Sequence, residues 1–452
     1  MSISQQIKSF ISKKGILYNA QNVLEHRDLF RRMSPAVMKA YCKHVHKKQE
    51  AFLKTLKGKE HIEVAFFLTT PGMWKCDYLF RLMQQDSRYH PYVVIHPYSF
   101  FKNYDESVNR TTLERTRKFI EERGFEYVSP FDEKRGRWYD IKKTLNPDVI
   151  FFCSPYKDTL RHYYIYHYAD RLSCYVQYAF CSLKLNEVNY NLSFHNVLWR
   201  NFEETETHLK FARKYSLIGG PNAITLGYPG VDVFLDSSYV PSNKWKMQDR
   251  PKKRIIWAPH HTIQGSVNVS NADGVYNSNF IEYCEFFLEL AKRYESEVQF
   301  AFKPHQVLRM KLNDIWGKEK TDAYYEQWDS LPNGQLEESD YRDLFLTSDA
   351  MIHDCGSFTT EYLHVHKPVM YLVHENDDIN EHFNEFGVRS YNVHYHGYCK
   401  DDIDQFVKDV IHGDDRLKKE RDEHFKQFLQ PPHGNLPSQN IFNYLNNQIF
   451  GE

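Results

Sequence analysis

The chain lacks the features that would place it at once. Its eight cysteines include no CxxC pair, which argues against a disulfide framework or a cysteine-built zinc site and suits a reducing compartment. No apolar run is long enough to cross a bilayer, and the start, MSISQQIKSFISKKG, has no signal-peptide core. An excess of one charge is missing as well. With 58 Lys and Arg against 59 Asp and Glu the net charge is -1, so there is no global basic field of a nucleic-acid binder. Repeats and low-complexity tracts are absent. No Asp-x-Asp follows a strand, and the 23 histidines show no His-x-x-x-His pair with a suitable third ligand. A metal site is therefore not expected, and a divalent cation is compatible but not indicated. What is present is an ordinary globular composition, 41% hydrophobic and 16% aromatic. Such a chain is expected in the cytoplasm, or peripheral at the inner face of the cell membrane if a surface recruits it.

Hydrophobic periodicity divides the chain. Residues 3–56 read as helical, with Ile3, Ile7, Phe10, Ile11 and Leu17 roughly on one face and Lys8, Lys13 and Lys14 elsewhere. That segment can pack on the protein body or lie on an anionic membrane. Strand–helix alternation then begins, with apolar strands expected at 64–68, 92–96, 125–128, 149–153, 174–178 and 224–226. Helices are expected near 73–86, 109–123, 138–145 and 159–171. The polar stretch 236–251 reads as a linker. A second alternating series follows, with strands at 255–258, 298–302, 350–352 and 369–373 and helices near 279–293, 321–329, 340–347, 357–364 and 402–411. A polar loop at 264–278 and C-terminal helices near 414–429 and 438–449 complete the pattern. The fold class is α/β: two facing doubly wound Rossmann-like domains. The divisions are an N-terminal helical segment 1–60, a first Rossmann-like domain 61–240, a second 250–412, and C-terminal helices 413–452 that cross back.

Three apolar strands of the second series end in residues suited to an anionic ligand. Ile255–Ala258 runs into Pro259-His260-His261, and Val298–Phe302 into Lys303-Pro304-His305. Ala350–Ile352 runs into His353-Asp354-Cys355-Gly356-Ser357 and a helix-compatible stretch. Ligands of open α/β sheets bind outside the carboxyl ends of the strands. A turn that delivers Gly356 and Ser357 to a helix start offers backbone N–H groups and a hydroxyl to phosphate, although an ordinary capped helix would look the same. A dense aromatic run, from Tyr156 through His162, Tyr163, Tyr164, Tyr166, His167 and Tyr168 to Tyr178, fits either a glycan platform or core packing.

These motifs, in this order, resemble the CDP-glycerol glycerophosphotransferases of teichoic acid and capsule synthesis. Ala258-Pro259-His260-His261 is similar to the family's Ala-Pro-Thr-Trp, and Lys303-Pro304-His305-Gln306 to its Lys-Pro-His-Pro. Ser348-Asp349 with Asp354-Cys355-Gly356-Ser357 matches its Ser-Asp…Thr-Asp-Tyr-Ser-Ser block, with Glu361 where an Asp is common. Lys367-Pro368 and Gly227-Tyr228-Pro229 complete a resemblance over roughly residues 215–410. The family's acceptor domain carries Trp-His-Gly-Thr; here Tyr175–Lys184 contains no His.

The resemblance implies a glycosyltransferase-B type fold, with domain 61–240 on the acceptor side and domain 250–412 binding the donor nucleotide. It implies transfer of glycerol-phosphate, or a related polyol-phosphate, from CDP-glycerol or a similar CDP-polyol to a cell-surface polysaccharide or lipid-linked polymer, with release of CMP. No tightly bound cofactor and no nucleic-acid partner are expected, and membrane contact would run through the N-terminal segment. Catalysis is assigned to His305, His260 and His261, and donor binding to Lys303, Asp354, Gly356, Ser357, Thr359 and Glu361. A base replacing the missing motif histidine would come from His162, His167 or the His260–His261 pair. The alternatives are a nucleotide-sugar glycosyltransferase or epimerase of the same fold, and a non-catalytic partner in a glycan synthesis complex.

Overall fold

In the computed structural model the described residues are 34–98, 106–132, 134–265, 278–338, 340–374 and 378–452. The amphipathic pattern at 3–17 and most of the polar loop at 264–278 lie outside them. The described residues divide into two compact units, one comprising those within 34–179, 185–232 and 431–452, the other those within 180–184 and 233–430.

The first unit is built on a seven-stranded parallel sheet. Its strands are β1 (Ile62–Leu68), β2 (Tyr89–Ile95), β3 (Tyr127–Val128), β6 (Val149–Phe152), β7 (Leu172–Val176), β8 (Arg200–Glu203) and β9 (Ala223–Thr225), in the order β3-β2-β1-β6-β7-β8-β9. A small antiparallel pair, β4 (Phe131–Asp132) and β5 (Arg137–Trp138), lies apart from it. Strands buried on both faces read as near-continuous apolar runs; β6 and β7 are fully buried along their length, and their one serine, Ser173, accepts from the Gln49 side chain and the Trp199 N–H. Helix Pro35–Leu56 starts at Ser34, whose hydroxyl accepts from the Val37 N–H. The C-terminal helix Pro437–Phe450 buries Ile441, Leu445 and Ile449 in the core that holds Val64, Phe66 and Phe151.

The second unit has six parallel strands: β10 (Lys253–Ala258), β11 (Val298–Phe302), β12 (Gly334–Leu336), β13 (Ala350–His353), β14 (Val369–Leu372) and β15 (Tyr395–Gly397). Their order is β12-β11-β10-β13-β14-β15. Trp257 on β10 is fully buried, stacked on Phe287 with ring centroids 4.1 Å apart and packed against Phe302 and Trp328. Helix Phe280–Arg293 covers this face through Phe280, Tyr283, Phe287, Leu290 and Ala291, a helical repeat of apolar positions. Lys292 and Arg293 in its last turn complement the helix dipole.

Each unit is a doubly wound α/β sheet, the expected fold class. Several local expectations fail. The helix expected over 159–171 is two 3-10 turns, Arg161–Tyr163 and Ile165–Tyr168, because crowded aromatic rings lose rotamer freedom in a helix. Tyr163, Tyr164, Tyr168 and Tyr175 are buried in the core of the first unit rather than arrayed as a platform. The stretch expected as a linker is pinned to the second unit: Trp245 is buried, its Nε1 donates to Thr347 Oγ1 at 3.0 Å, and the Lys246 N–H donates to Gln335 Oε1 at 2.7 Å.

Candidate functional site

Strands β11, β10 and β13 are neighbours in register, with Trp257 opposite both Phe302 and Ile352 and Ala258 opposite His353. All three run parallel, so the residues that follow them emerge along one edge of the sheet. Backbone bonds then tie the emerging loops together. The Lys303 N–H donates to Trp257 O at 2.8 Å, and the His305 N–H to Pro259 O at 3.1 Å. Asp354 is the knot of this edge. Its Oδ1 accepts from the His260 N–H at 2.5 Å, and its Oδ2 from the Asn279 N–H at 2.7 Å and the Ser278 hydroxyl at 3.1 Å. Burial pushes its carboxyl up to about 6, against the pull of those three donors. Asp354 therefore acts on this edge as a fastener of His260 and of the start of helix Phe280–Arg293.

His260, His261 and His305 converge. Their ring centroids lie 4.2, 4.9 and 4.3 Å apart for the pairs 260–261, 260–305 and 261–305, and all three are half-buried. Thr262 Oγ1 lies 3.0 Å from His260 Nδ1, and the Val307 N–H donates to His305 Nδ1 at 3.1 Å. Burial holds His260 and His305 well below the usual imidazole range, and the neighbouring rings add to the effect. Both are neutral at pH 7. Lys303 sits on the same edge; burial lowers its pKa while Glu337, Asp340 and Glu338 raise it.

The turn after β13 departs from a long helix start. The helix that follows is one α-turn, Phe358–Glu361, continued by a 3-10 turn, Tyr362–Val365. The dipole of so short an element contributes little, and what the turn offers an anion is backbone N–H and the Ser357 hydroxyl. Gly356 lies close against Leu183: a Cβ there would meet that side chain at 3.1–3.4 Å, so a larger residue would have to push it aside. Thr359 is buried and donates to Cys355 O at 3.1 Å. Glu361 is also buried, and its Oε2 accepts from the Tyr341 hydroxyl. The Cys355 thiol, pushed up to about 11 by burial, is no nucleophile at neutral pH. The structure thus gathers His260, His261, Lys303, His305, Asp354, Gly356 and Ser357 along one edge, with Thr359 and Glu361 beneath the turn.

Sequence reasoning missed the partners that hold this edge, Thr262, Ser278, Asn279 and Tyr341. It also missed Lys311, fully buried and close enough to depress both His260 and His305. Lys311 lies on a helix, Leu308–Trp316, whose i,i+4 pair Leu308 and Leu312 was the available signal. In the first unit, His167 Nε2 pairs with Asp140 Oδ1 at 2.8 Å, and burial lowers His162 to about 4. The stretch without a motif histidine is split between the units, and Phe180–Lys184 packs in the second. There Ser182 Oγ meets Thr360 Oγ1 at 3.1 Å, and Asn384 Nδ2 donates to Cys181 O at 2.6 Å.

Comparison with known proteins agrees with the motif order. Residues 189–444 match the family described as CDP-Glycerol:Poly(glycerophosphate) glycerophosphotransferase. The teichoic acid ribitol-phosphate polymerase TarL of Staphylococcus aureus is 24% identical over 195 residues, 41% of this chain and 30% of that protein. The chain thus spans under a third of the length of the curated relative it matches. Among solved structures, a variant of the wall teichoic acid polymerase TagF superposes with a TM-score of 0.54 at 14% identity, covering 95% of this chain and 97% of the other. The UDP-GlcNAc 2-epimerase of Neisseria meningitidis, bound to UDP-GlcNAc, gives 0.51 at 15% identity, covering 85% of this chain and all of the other. At these identities the superpositions show the fold alone. The family match is more telling, since it takes in all three strand-end motifs and more than half of the 452 residues: the chain belongs to the CDP-glycerol:poly(glycerophosphate) glycerophosphotransferase family, a family of enzymes.

Proposed function

We propose that this chain transfers a glycerol-phosphate, or a related polyol-phosphate, from a CDP-activated donor to a teichoic-acid-like or other cell-surface glycan polymer. The observation that carries the reading is the convergence of Lys303, His305, the His260–His261 pair and the Gly356-Ser357 turn on one strand-end edge, inside the segment that matches the family. An acceptor hydroxyl oxygen attacks the β-phosphorus of the donor. The bond from that phosphorus to the bridging oxygen breaks, and CMP departs with the electron pair. The protein must hold the diphosphate, offset charge on its non-bridging oxygens and take the hydroxyl proton.

Lys303 is suited to clamp phosphate, and Gly356 and Ser357 to receive it through N–H and hydroxyl donors. Neutral His305 is suited to donate a hydrogen bond to phosphate. Its Nδ1 lone pair is taken by the Val307 N–H, so the ring proton resides on Nε2. The base is then better sought in His260 or His261. In the first unit His167 Nε2 is paired with Asp140, a carboxylate that orients the ring, so His167 stays a candidate beside them. We assign the work to the inner face of the cell membrane, with contact through the N-terminal segment. No helix among the described residues is long and apolar enough to cross a membrane.

Nucleotide binding tests the donor class. A ligand that binds only the native state raises stability by about 2.7 kcal/mol at a hundredfold excess over its Kd. CDP should therefore raise the melting temperature well above UDP at equal concentration, and Lys303→Ala should shrink the difference. A preference for UDP would favour a nucleotide-sugar enzyme of the same fold.

A further inference from the structure

We propose that His260, His261 and His305 form a binding site for a divalent transition-metal ion of the zinc class. One nitrogen from each ring lies within 4.8 Å of the others, the only such group of three among the described residues. Zn–N bonds of about 2.0–2.1 Å in tetrahedral geometry set nitrogens about 3.4 Å apart, so the rings must draw together to complete the set. The rings are borne by two adjacent strand ends that are already locked together through the His305 N–H to Pro259 O bond and the Asp354 bond to the His260 N–H. Spacing rules along the chain could not show this site, because its ligands come from separate strands. Three imidazoles suit zinc, cobalt or nickel rather than magnesium, which takes oxygen ligands. Three protein ligands also leave a coordination position open, as in catalytic rather than structural zinc sites.

Two neighbours shape the behaviour of this site. Thr262 Oγ1 can accept the Nδ1 proton of His260, which leaves the Nε2 lone pair for a metal. On His305 the Val307 N–H occupies Nδ1. Coordination through Nε2 takes that nitrogen from its hydrogen bond to phosphate, moves the ring proton to Nδ1 and displaces that N–H. His305 therefore plays different parts with and without the ion, and the start of helix Leu308–Trp316 must give as the ion enters. Lys303 and Lys311 repel a bare dication, and an anion in the open position offsets them. A phosphate oxygen is of the right class, which ties metal affinity to anion binding.

The test uses the full chain stripped with a chelator and titrated with Co2+ in the presence of inorganic phosphate. The expected result is one Co2+ per chain more than the triple variant His260→Ala/His261→Ala/His305→Ala binds, with the strong visible absorption of four- or five-coordinate cobalt. Each single His→Ala should weaken binding by about tenfold or more. The bonds that Asp354 makes here go to backbone N–H and to Ser278, so removing the rings leaves them in place; far-UV circular dichroism checks the fold, and His261→Asn serves as a milder second variant. Equal Co2+ uptake by wild type and triple variant, or only the weak spectrum of six-coordinate cobalt, overturns the proposal. Metal binding does not depend on the transfer reading. A chain that binds Co2+ but no cytidine nucleotide refutes the reaction and keeps the site, and metal-free turnover with no Co2+ uptake does the reverse.

Discussion

Replacing Asp354 by Ala separates two physical effects at the heart of the strand-end edge. The substitution strips the His260 and Asn279 N–H groups of their acceptor, along with the Ser278 hydroxyl. The hydroxyl can turn, but the two buried backbone donors cannot, and each orphaned donor costs about 1–3 kcal/mol. The second unit should therefore lose roughly 2–6 kcal/mol near pH 4. The cost should depend on pH. The folded-state pKa of Asp354 is raised from 3.8 to about 6 by burial, so the native state holds this proton more tightly than the unfolded chain. That contribution is fully present below pH 3.8 and is lost as pH rises through about 6. A shift of about two units corresponds to ~3 kcal/mol, so the gap between wild type and variant should narrow by up to that amount between pH 4 and pH 7. Urea unfolding of both proteins at several pH values, followed by hydrogen exchange of helix Phe280–Arg293, reads the gap directly. No loss of stability at any pH would mean that the carboxyl does not fasten these loops. A gap that widens with pH would mean that the three donors outweigh burial and hold the group ionised.

Three further outcomes are expected. His305→Ala should lower turnover far more than donor affinity, because a donor to the transition state is felt in rate, whereas Lys303→Ala should weaken donor binding as well; steady-state kinetics with a soluble acceptor separate the two. Burial lowers the Lys303 pKa from 10.5, so the cation is lost as pH rises through that lowered value, and donor KM should climb at a lower alkaline pH in wild type than in Lys303→Arg. Trp257→Ala should destabilise the second unit by about 3–5 kcal/mol, because the ring is fully buried among Phe287, Phe302 and Trp328; denaturant midpoints measure the loss.

The architecture was legible where burial makes strands apolar from end to end. Val149–Phe152 could be found from composition because a parallel strand covered on both faces is apolar from end to end, and Val298–Phe302 is broken only by Gln299, whose buried amide donates to Lys246 O at 2.7 Å. Short or polar strands escaped: Arg200–Glu203 begins with Arg-Asn, and Gly334–Leu336 and Tyr395–Gly397 span three residues each. The motifs were visible as strand ends, but what holds them was not. Asp354 joins residues 260, 278 and 279, and a bond across so many positions leaves no periodic trace. Glu361 shows the same limit: its Tyr341 partner comes from the loop before another helix. The histidine cluster could be suspected from three motifs, yet its closeness is a property of strand order, β11 beside β10, which no single motif reports.

The central claim, transfer of a polyol-phosphate from a cytidine-activated donor, is tested most directly by supplying purified chain with CDP-glycerol, CDP-ribitol and UDP-GlcNAc in turn. Each donor is paired with a teichoic-acid-like acceptor, and released nucleotide is measured together with acceptor mass. The account predicts CMP release from a CDP-polyol, matched mole for mole by polyol-phosphate added to the acceptor, and loss of both in Lys303→Ala. UDP release from UDP-GlcNAc, with the CDP-polyols left intact, would contradict it.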